Sequence, residues 1–330
     1  LLGVRRGSAR NRTGDLNTRT TKKAQEHDLK FGICLPIRLD ADAGANVRIA
    51  KRAEELGYDS VWASDHVLIP EKRAGMFPDE FHDPFMLLSS IAAGTSRITI
   101  GTSVIILPYR NPLVTAKMAA TLDVLSGGRL IFGVGPGWMR EEFAALGVPF
   151  ESRGRMTDEY IKAIRELWRS ERPEFHGEFV EFSKVGFYPK PVQSPGPPVW
   201  VAGASRHAVR RAALLGDGWQ PTAVSPGDVR AGIDEVRRIA AESGRGLDGF
   251  TFSLRNRLRL TDGTEAPKPG VGAPAFTLKG SVSRVRDYVA EYVEDGVSHI
   301  LFDPDAGNID EYYGNMETAE EEIMPYFRAD

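Results

Sequence analysis

Cysteine is almost missing from this sequence: Cys34 is the single one in 330 residues. One cysteine excludes an intramolecular disulfide framework and any zinc site built from cysteine pairs, and it fits a reducing cytoplasm. Cys34 sits in the run FGICLP, where a small apolar thiol is expected to pack rather than to attack a substrate. No apolar run approaches the roughly 18 residues that a membrane-spanning helix needs, and none near the N-terminus resembles the core of a signal peptide. An excess of one charge is missing too. Lys and Arg number 42 against 45 Asp and Glu, a formal net charge of -3. No basic field therefore draws the chain to nucleic acid or to an anionic membrane, and its partners are expected to be small molecules.

What is present is alternation. Residues 1–28 are rich in Arg, Thr, Asn and Lys without apolar periodicity, and are expected to form a disordered tail ahead of a single domain over 29–330. From there short apolar runs alternate with helical patterns. ANVRIAKRAEELG places Val47, Ala50, Ala53 and Leu56 on one face and stops at Gly57, while Asp83 with Pro84 and Asn111 with Pro112 announce two further helix starts. Apolar strands are expected near Phe31, Val61, Ile98, Leu130, Val199, Gly218, Phe252 and Ile300. Eight strands with helices between them predict an α/β chain folded as a (β/α)8 TIM barrel. Residues 139–198, with a helix, a hairpin about Gly177 and several prolines, read as an insertion between strands four and five. A polar loop, TDGTEAPKPGVGAPAF, follows strand seven, and either segment is placed to serve as a lid.

Barrel chemistry is built at the carboxyl ends of the strands. SVWASDHVLIP delivers Asp65 and His66 there, an imidazole able to pass a proton near neutrality beside a carboxylate able to orient it. From position alone, a turn-capping Asp65 with an ordinary rim histidine is the equal alternative. GVGPGW after strand four lacks the GxGxxG spacing of a dinucleotide site, but its Gly135 and Gly137 suit backbone lying against a flat ligand. After strand five, Ala202, Gly203, Ala204 and Ser205 precede a helix whose free N–H groups form either an anion site or an ordinary N-cap. No metal-ligand pattern is present.

Four segments carry a resemblance: SVWASDHVLIP, ITIGTSVIILPYRNPLVTAKMAATLDVLSGGRLIFGVGPGW, ALGVPFESRGRMTDEYIKAIRELW and VWVAGASRHAVRRAALLGDGWQP. In this order and spacing they resemble the luciferase-like monooxygenase superfamily, and within it the oxidoreductases that use the deazaflavin coenzyme F420. The similarity runs from about Lys30 to the C-terminus. It implies a bulge with a non-proline cis peptide at Ser103 and Val104 backing the cofactor ring, and a phosphate loop at Ala202 to Ser205. It further implies a His66 and Asp65 pair facing cofactor and substrate, and a homodimer. Two departures bear on the choice of chemistry. Trp138 stands where the family's sugar-phosphate dehydrogenases carry a glutamate, which speaks against a sugar phosphate substrate. Phe150 and Gly154 stand where many FMN-dependent members have a histidine and a tyrosine, which favours the deazaflavin. The expectation is thus an F420-dependent oxidoreductase, with an FMN-dependent monooxygenase and a cofactor-binding protein without turnover as the alternatives.

Overall fold

The computed structural model describes residues 29–328 apart from 38, 40, 74–76, 78, 79 and 262–275. The expected tail and most of the loop after the seventh strand therefore lie outside the described residues. In chain order, β1 (Lys30–Cys34), α1 (Ala43–Glu55), β2 (Ser60–Ala63), α2 (Pro84–Gly94), β3 (Thr99–Thr102), the short β4 (Ile105–Ile106), α3 (Pro112–Ser126) and β5 (Leu130–Gly135) form the first half. Then come α4 (Arg140–Ala145), α5 (Arg153–Arg169), β6 (Phe175–His176) and β7 (Glu181–Phe182). The second half holds β8 (Val199–Ala202), α6 (Arg206–Leu215), β9 (Gly218–Gln220), α7 (Pro226–Glu242), β10 (Thr251–Leu260), β11 (Leu278–Gly280), α8 (Val282–Asp295), β12 (His299–Pro304) and α9 (Ile309–Glu322).

The parallel order β10, β12, β1, β2, β3, β5, β8, β9 closes on itself where Thr251 of β10 pairs with Gly218 of β9. This is the expected (β/α)8 barrel, and β11 extends it along the outer half of β10. The stretch 139–198 is only partly an excursion. α5 packs between α3 and α6 and so takes the ring position of the fourth barrel helix. The added pieces are α4 and the antiparallel hairpin β6/β7, which Gly177 closes by donating to the Val180 carbonyl at 3.0 Å.

Strand alternation divides the core. Ile33, Val61, Val201 and Phe302 pack in the large shell between strands and helices, whereas Cys34, Trp62, Trp200 and Leu301 cluster inside the barrel. Trp62 and Trp200 stack at 5.1 Å between ring centroids. Gly101 makes this possible, because a Cβ there would lie 2.3 Å from the Trp62 ring. Cys34 is the expected buried thiol, and burial pushes it up to about 12.

The helix starts fall where the caps announce them. Asp83 accepts from the N–H groups of Phe85 and Met86, Asn111 from those of Leu113 and Val114, and Gly57 ends α1 at φ 76°. The buried face of α1 is rotated from the expected one. Asn46, Ile49, Ala50 and Ala53 are buried, with Val47 and Leu56 only flanking. An asparagine can occupy this face because its Nδ2 donates to the carbonyls of Ala41 and Asp42. Among the described residues no helix is long and apolar enough to cross a membrane.

Candidate active site

The third barrel strand breaks before it ends. β3 stops at Thr102, the Ser103–Val104 peptide is cis, and the chain resumes as β4, so the implied bulge is present at those residues. Gly133 on β5 makes the break sterically feasible, since a Cβ there would overlap the Thr102 carbonyl oxygen. The bulge is held from several sides. The Ser103 carbonyl accepts from Ser64 Oγ at 3.0 Å and from Arg255 at 2.8 Å, and Ser103 Oγ donates to Gln220 Oε1 at 2.8 Å. Arg255, buried, is itself neutralised by Asp303 at 2.9 Å.

Beside this bulge, at the carboxyl ends of the strands, lies a cavity of about 280 Å³ whose walls include Ser64, His66, Ser103, Val104, Gly137 and Trp138. A larger cavity of about 680 Å³ opens at the amino end. Its polar walls are structural: Arg129 donates to the carbonyls of Ala92, Thr95, Ile98 and Ser126, and Asp217 accepts from Arg165. The smaller cavity is the candidate site, at the barrel end where strand termini and loops present side chains.

Asp65 and His66 both reach it, but they do not act on each other. Asp65 is buried, and its carboxylate takes Arg110 at 2.6 Å and the Ile106 N–H at 3.0 Å. Burial raises this carboxyl, against the pull of Arg110, and Arg110 also bridges to Asp83 at 3.0 Å. The expectation that Asp65 orients the imidazole is therefore corrected: its acceptor sites are engaged in tying the β2 end to β4 and to the loop after it. The orienting carboxylate is Glu142 on α4, whose Oε2 lies 2.8 Å from His66 Nδ1.

Glu142 is fully buried and accepts three further hydrogen bonds, from Tyr109 Oη at 3.0 Å and from the N–H groups of Val67 and Leu68 at 2.8 and 3.3 Å. Burial alone would raise its carboxyl, but the His66 ring first, and then the Val67 and Leu68 N–H groups, hold it below the ordinary carboxylate range. An ionised carboxylate only accepts, so Nδ1 carries the proton and Nε2 of the neutral ring is left with its lone pair. Nε2 has no partner among the described residues, and the ring is flanked by Phe77 at 4.7 Å and Phe81 at 5.1 Å.

The glycine and phosphate-loop residues fall into two groups. Gly137, at φ 76°, lines the cavity; Gly135 is buried behind it, where a Cβ would press on Val104 at 2.9 Å. Ala202, Gly203, Ala204 and Ser205 stand one strand further round and outside the cavity wall. Ser205 caps α6 by accepting from the Ala208 N–H at 3.3 Å, and Gly203 turns there at φ 108°. Gln220 joins the two groups. Its backbone carbonyl accepts from the Gly203 N–H at 3.2 Å while its side chain accepts from Ser103, leaving the buried Nε2 without a partner among the described residues. Glu142, Tyr109, Arg255 and Gln220 were not singled out from sequence: Tyr109 and Gln220 lie within quoted segments but carry no local pattern of their own, and Glu142 and Arg255 lie outside them. The nearest signal is the acidic pair Glu141 and Glu142 at a helix start just after GPGW.

Residues 29–268 match the family model of the luciferase-like monooxygenases. An F420-dependent glucose-6-phosphate dehydrogenase from Amycolatopsis mediterranei is 34% identical, over 73% of this chain and 66% of its own. An FMNH(2)-dependent dimethylsulfone monooxygenase from Pseudomonas putida is 29% identical, over 66% and 60%. The fold is also that of the coenzyme F420-dependent tetrahydromethanopterin reductase of Methanopyrus kandleri, with a TM-score of 0.76 at 20% identity, covering 91% of this chain and 99% of that one.

Proposed function

We propose, from the premise that this chain belongs to the luciferase-like monooxygenase family, that it is a cytoplasmic, coenzyme F420-dependent oxidoreductase moving a hydride between the deazaflavin and a small organic substrate. The observation that carries this reading is the state of His66. Glu142 fixes the Nδ1 proton, so Nε2 is presented as a proton acceptor when the ring is neutral and as a donor when it is charged. Carbonyl and alcohol interconversion by hydride needs such a group, because each hydride gained or lost at carbon is matched by a proton at oxygen.

The residues present fit a deazaflavin or flavin. The orphaned Gln220 amide beside the bulge offers a buried N–H donor to a ring carbonyl, and the exposed start of α6 at Ala204 and Ser205 offers free N–H groups to a phosphate. When bound, the deazaflavin supplies the hydride chemistry. The chain's own part is to back the ring with Ser103 and Val104, to keep the bulge in place through Arg255, and to hold the proton at His66 Nε2. Phe77, Phe81 and Trp138 around that ring limit access of water.

The rival reading, an FMN-dependent monooxygenase, is favoured by the dimethylsulfone relative. Equilibrium titrations with F420 and with FMN, followed by transfer of deuterium from reduced, 5-deuterated F420 to a panel of ketones and aldehydes, test the assignment. Tighter binding of F420 with label appearing in product supports it. Tighter binding of FMN with oxygen-dependent turnover overturns it, and binding of F420 without turnover on any substrate would make the chain a carrier instead. We also propose a homodimer, supported by exposed Met86 on α2 and Val114 and Leu125 on α3; a monomer in sedimentation velocity at micromolar concentration refutes it.

A further inference from the structure

Of the three arginines on β10, Arg255 and Arg257, two residues apart, line the same cavity. Their circumstances differ. Arg255 is buried and fully engaged, by Asp303 at 2.9 Å, the Ser103 carbonyl at 2.8 Å and Ser64 Oγ at 2.9 Å. Arg257 is half-buried, and among the described residues no carboxylate, carbonyl or hydroxyl accepts from it. Asp303 is its register neighbour on β12, yet that carboxylate turns to Arg255.

The cavity shared by Arg257 mixes apolar walls, Ile37, Phe77, Val104, Ile106 and Trp138, with two carboxylates already committed elsewhere, Asp65 to Arg110 and Asp303 to Arg255. At the mouth the Arg73 guanidinium lies 4.6 Å over the Trp138 ring. A half-buried cation with no carboxylate of its own among the described residues is unfavourable, and an incoming anion relieves it. Guanidinium offers a planar fork of donors that matches the two oxygens of a carboxylate or phosphate.

We propose that Arg257 anchors an oxyanion, carboxylate or phosphate in type, at one end of a small substrate whose apolar body lies against Phe77 and Trp138 and whose reacting end faces His66. This deepens the reading given under Proposed function and rests on it for the reacting end. The selected substrates are then hydroxy or oxo acids and their relatives rather than neutral alcohols and ketones. The same donor chemistry would serve a phosphate of the cofactor, so the experiment separates the two sources.

The probes are phenylacetate and phenylacetamide, alike in shape and different in charge, titrated calorimetrically into the full chain without cofactor. Phenylacetate is expected to bind at least about tenfold more tightly, Arg257→Met to bring the two within about twofold, and Arg257→Lys to keep part of the gap. Equal affinities in the wild-type protein, no binding of either probe, or a gap that survives Arg257→Met overturns the proposal. F420 titrated into the same proteins is expected to bind wild type and Arg257→Met alike. A loss of F420 affinity of tenfold or more would assign the anion to the cofactor and overturn the substrate claim. If the wild-type chain binds no F420 while the charge gap stands, the cofactor assignment fails and the anion site remains. Should Arg257→Met not fold by its melting curve, Arg257→Gln replaces it in every arm.

Discussion

Two histidines mark the two ends of this barrel, and their settings are opposites. His66, just past the carboxyl end of β2, has an ionised carboxylate on one nitrogen and a cavity at the other. His299, at the amino end of β12, is buried among Trp62 and Trp200, with ring centroids 5.9 and 5.2 Å away. Its Nε2 is hydrogen-bonded with Ser60 Oγ at 2.7 Å, and that oxygen accepts from Trp62 Nε1 at 2.7 Å. Burial, with a smaller contribution from Lys30, pushes His299 down to about 3. Under the proposed function one imidazole exchanges a proton, while burial makes the other refuse one. What separates them is counter-charge and access, not residue type.

The largest effect should come from removing the working ring. His66→Ala should lower kcat by roughly 10² to 10⁴, the range for loss of a general acid or base, with melting temperature and cofactor affinity close to wild type. A variant that still turns over at the wild-type rate with saturating cofactor would show that the carboxyl end is no more chemical than the amino end.

Next comes Asp65→Asn, read as a change in stability. It strips the buried partner from Arg110, and disrupting a buried pair costs roughly 3 to 5 kcal/mol; Asp83, 3.0 Å from the same guanidinium, should keep the cost near the lower figure. Denaturant unfolding measures it. A large drop in kcat with unchanged stability would restore Asp65 to the chemistry.

The amino end is probed with acid. The folded value of His299 lies below its unfolded one, so its contribution is fully present above about 6.5 and is lost as pH falls toward about 3. At pH 5 the loss is on the order of 2 kcal/mol. His299→Asn keeps a polar group for Ser60 but does not titrate, and should show a smaller difference in stability between pH 7.5 and pH 5. An unchanged difference would mean that other groups govern the acid response.

The smallest effect sharpens the carboxyl end. Glu142→Gln keeps the shape but loses the charge, and a charge-assisted hydrogen bond worth about 1.5 kcal/mol corresponds to roughly tenfold in kcat, with the pH dependence displaced as well. Stability should respond in acid too. The folded value of Glu142 is lowered, so its contribution is present above the ordinary glutamate range and is lost as pH falls below it, a loss the amide variant lacks. A kcat profile superimposable on the wild type would remove Glu142 from the mechanism.

The parts of the molecule legible in sequence were those written locally. Asp83, Asn111 and Ser205 cap helices because a short polar side chain reaches N–H groups two or three residues on, and the barrel follows from strands recurring at regular intervals. The bulge at Ser103 and Val104 was legible through resemblance. The pairings inside the site were not. Asp65 meets Arg110 across 45 residues and His66 meets Glu142 across 76, distances set by strand register and by the placement of α4 rather than by any short motif. Adjacency in sequence even misled, since Asp65 and His66 diverge at the strand end to different partners.

Trp62, Trp200, Leu301 and Cys34 fill the middle of the barrel, and the cavities at its two ends have no lining residue in common. In its described residues the barrel is therefore a cup and not a tube. Hydrogen isotopes from solvent should enter at the rim beside Trp138, and deuterium wash-in at His66 should follow the opening of that rim while His299, beneath the stacked indoles, exchanges on its own clock.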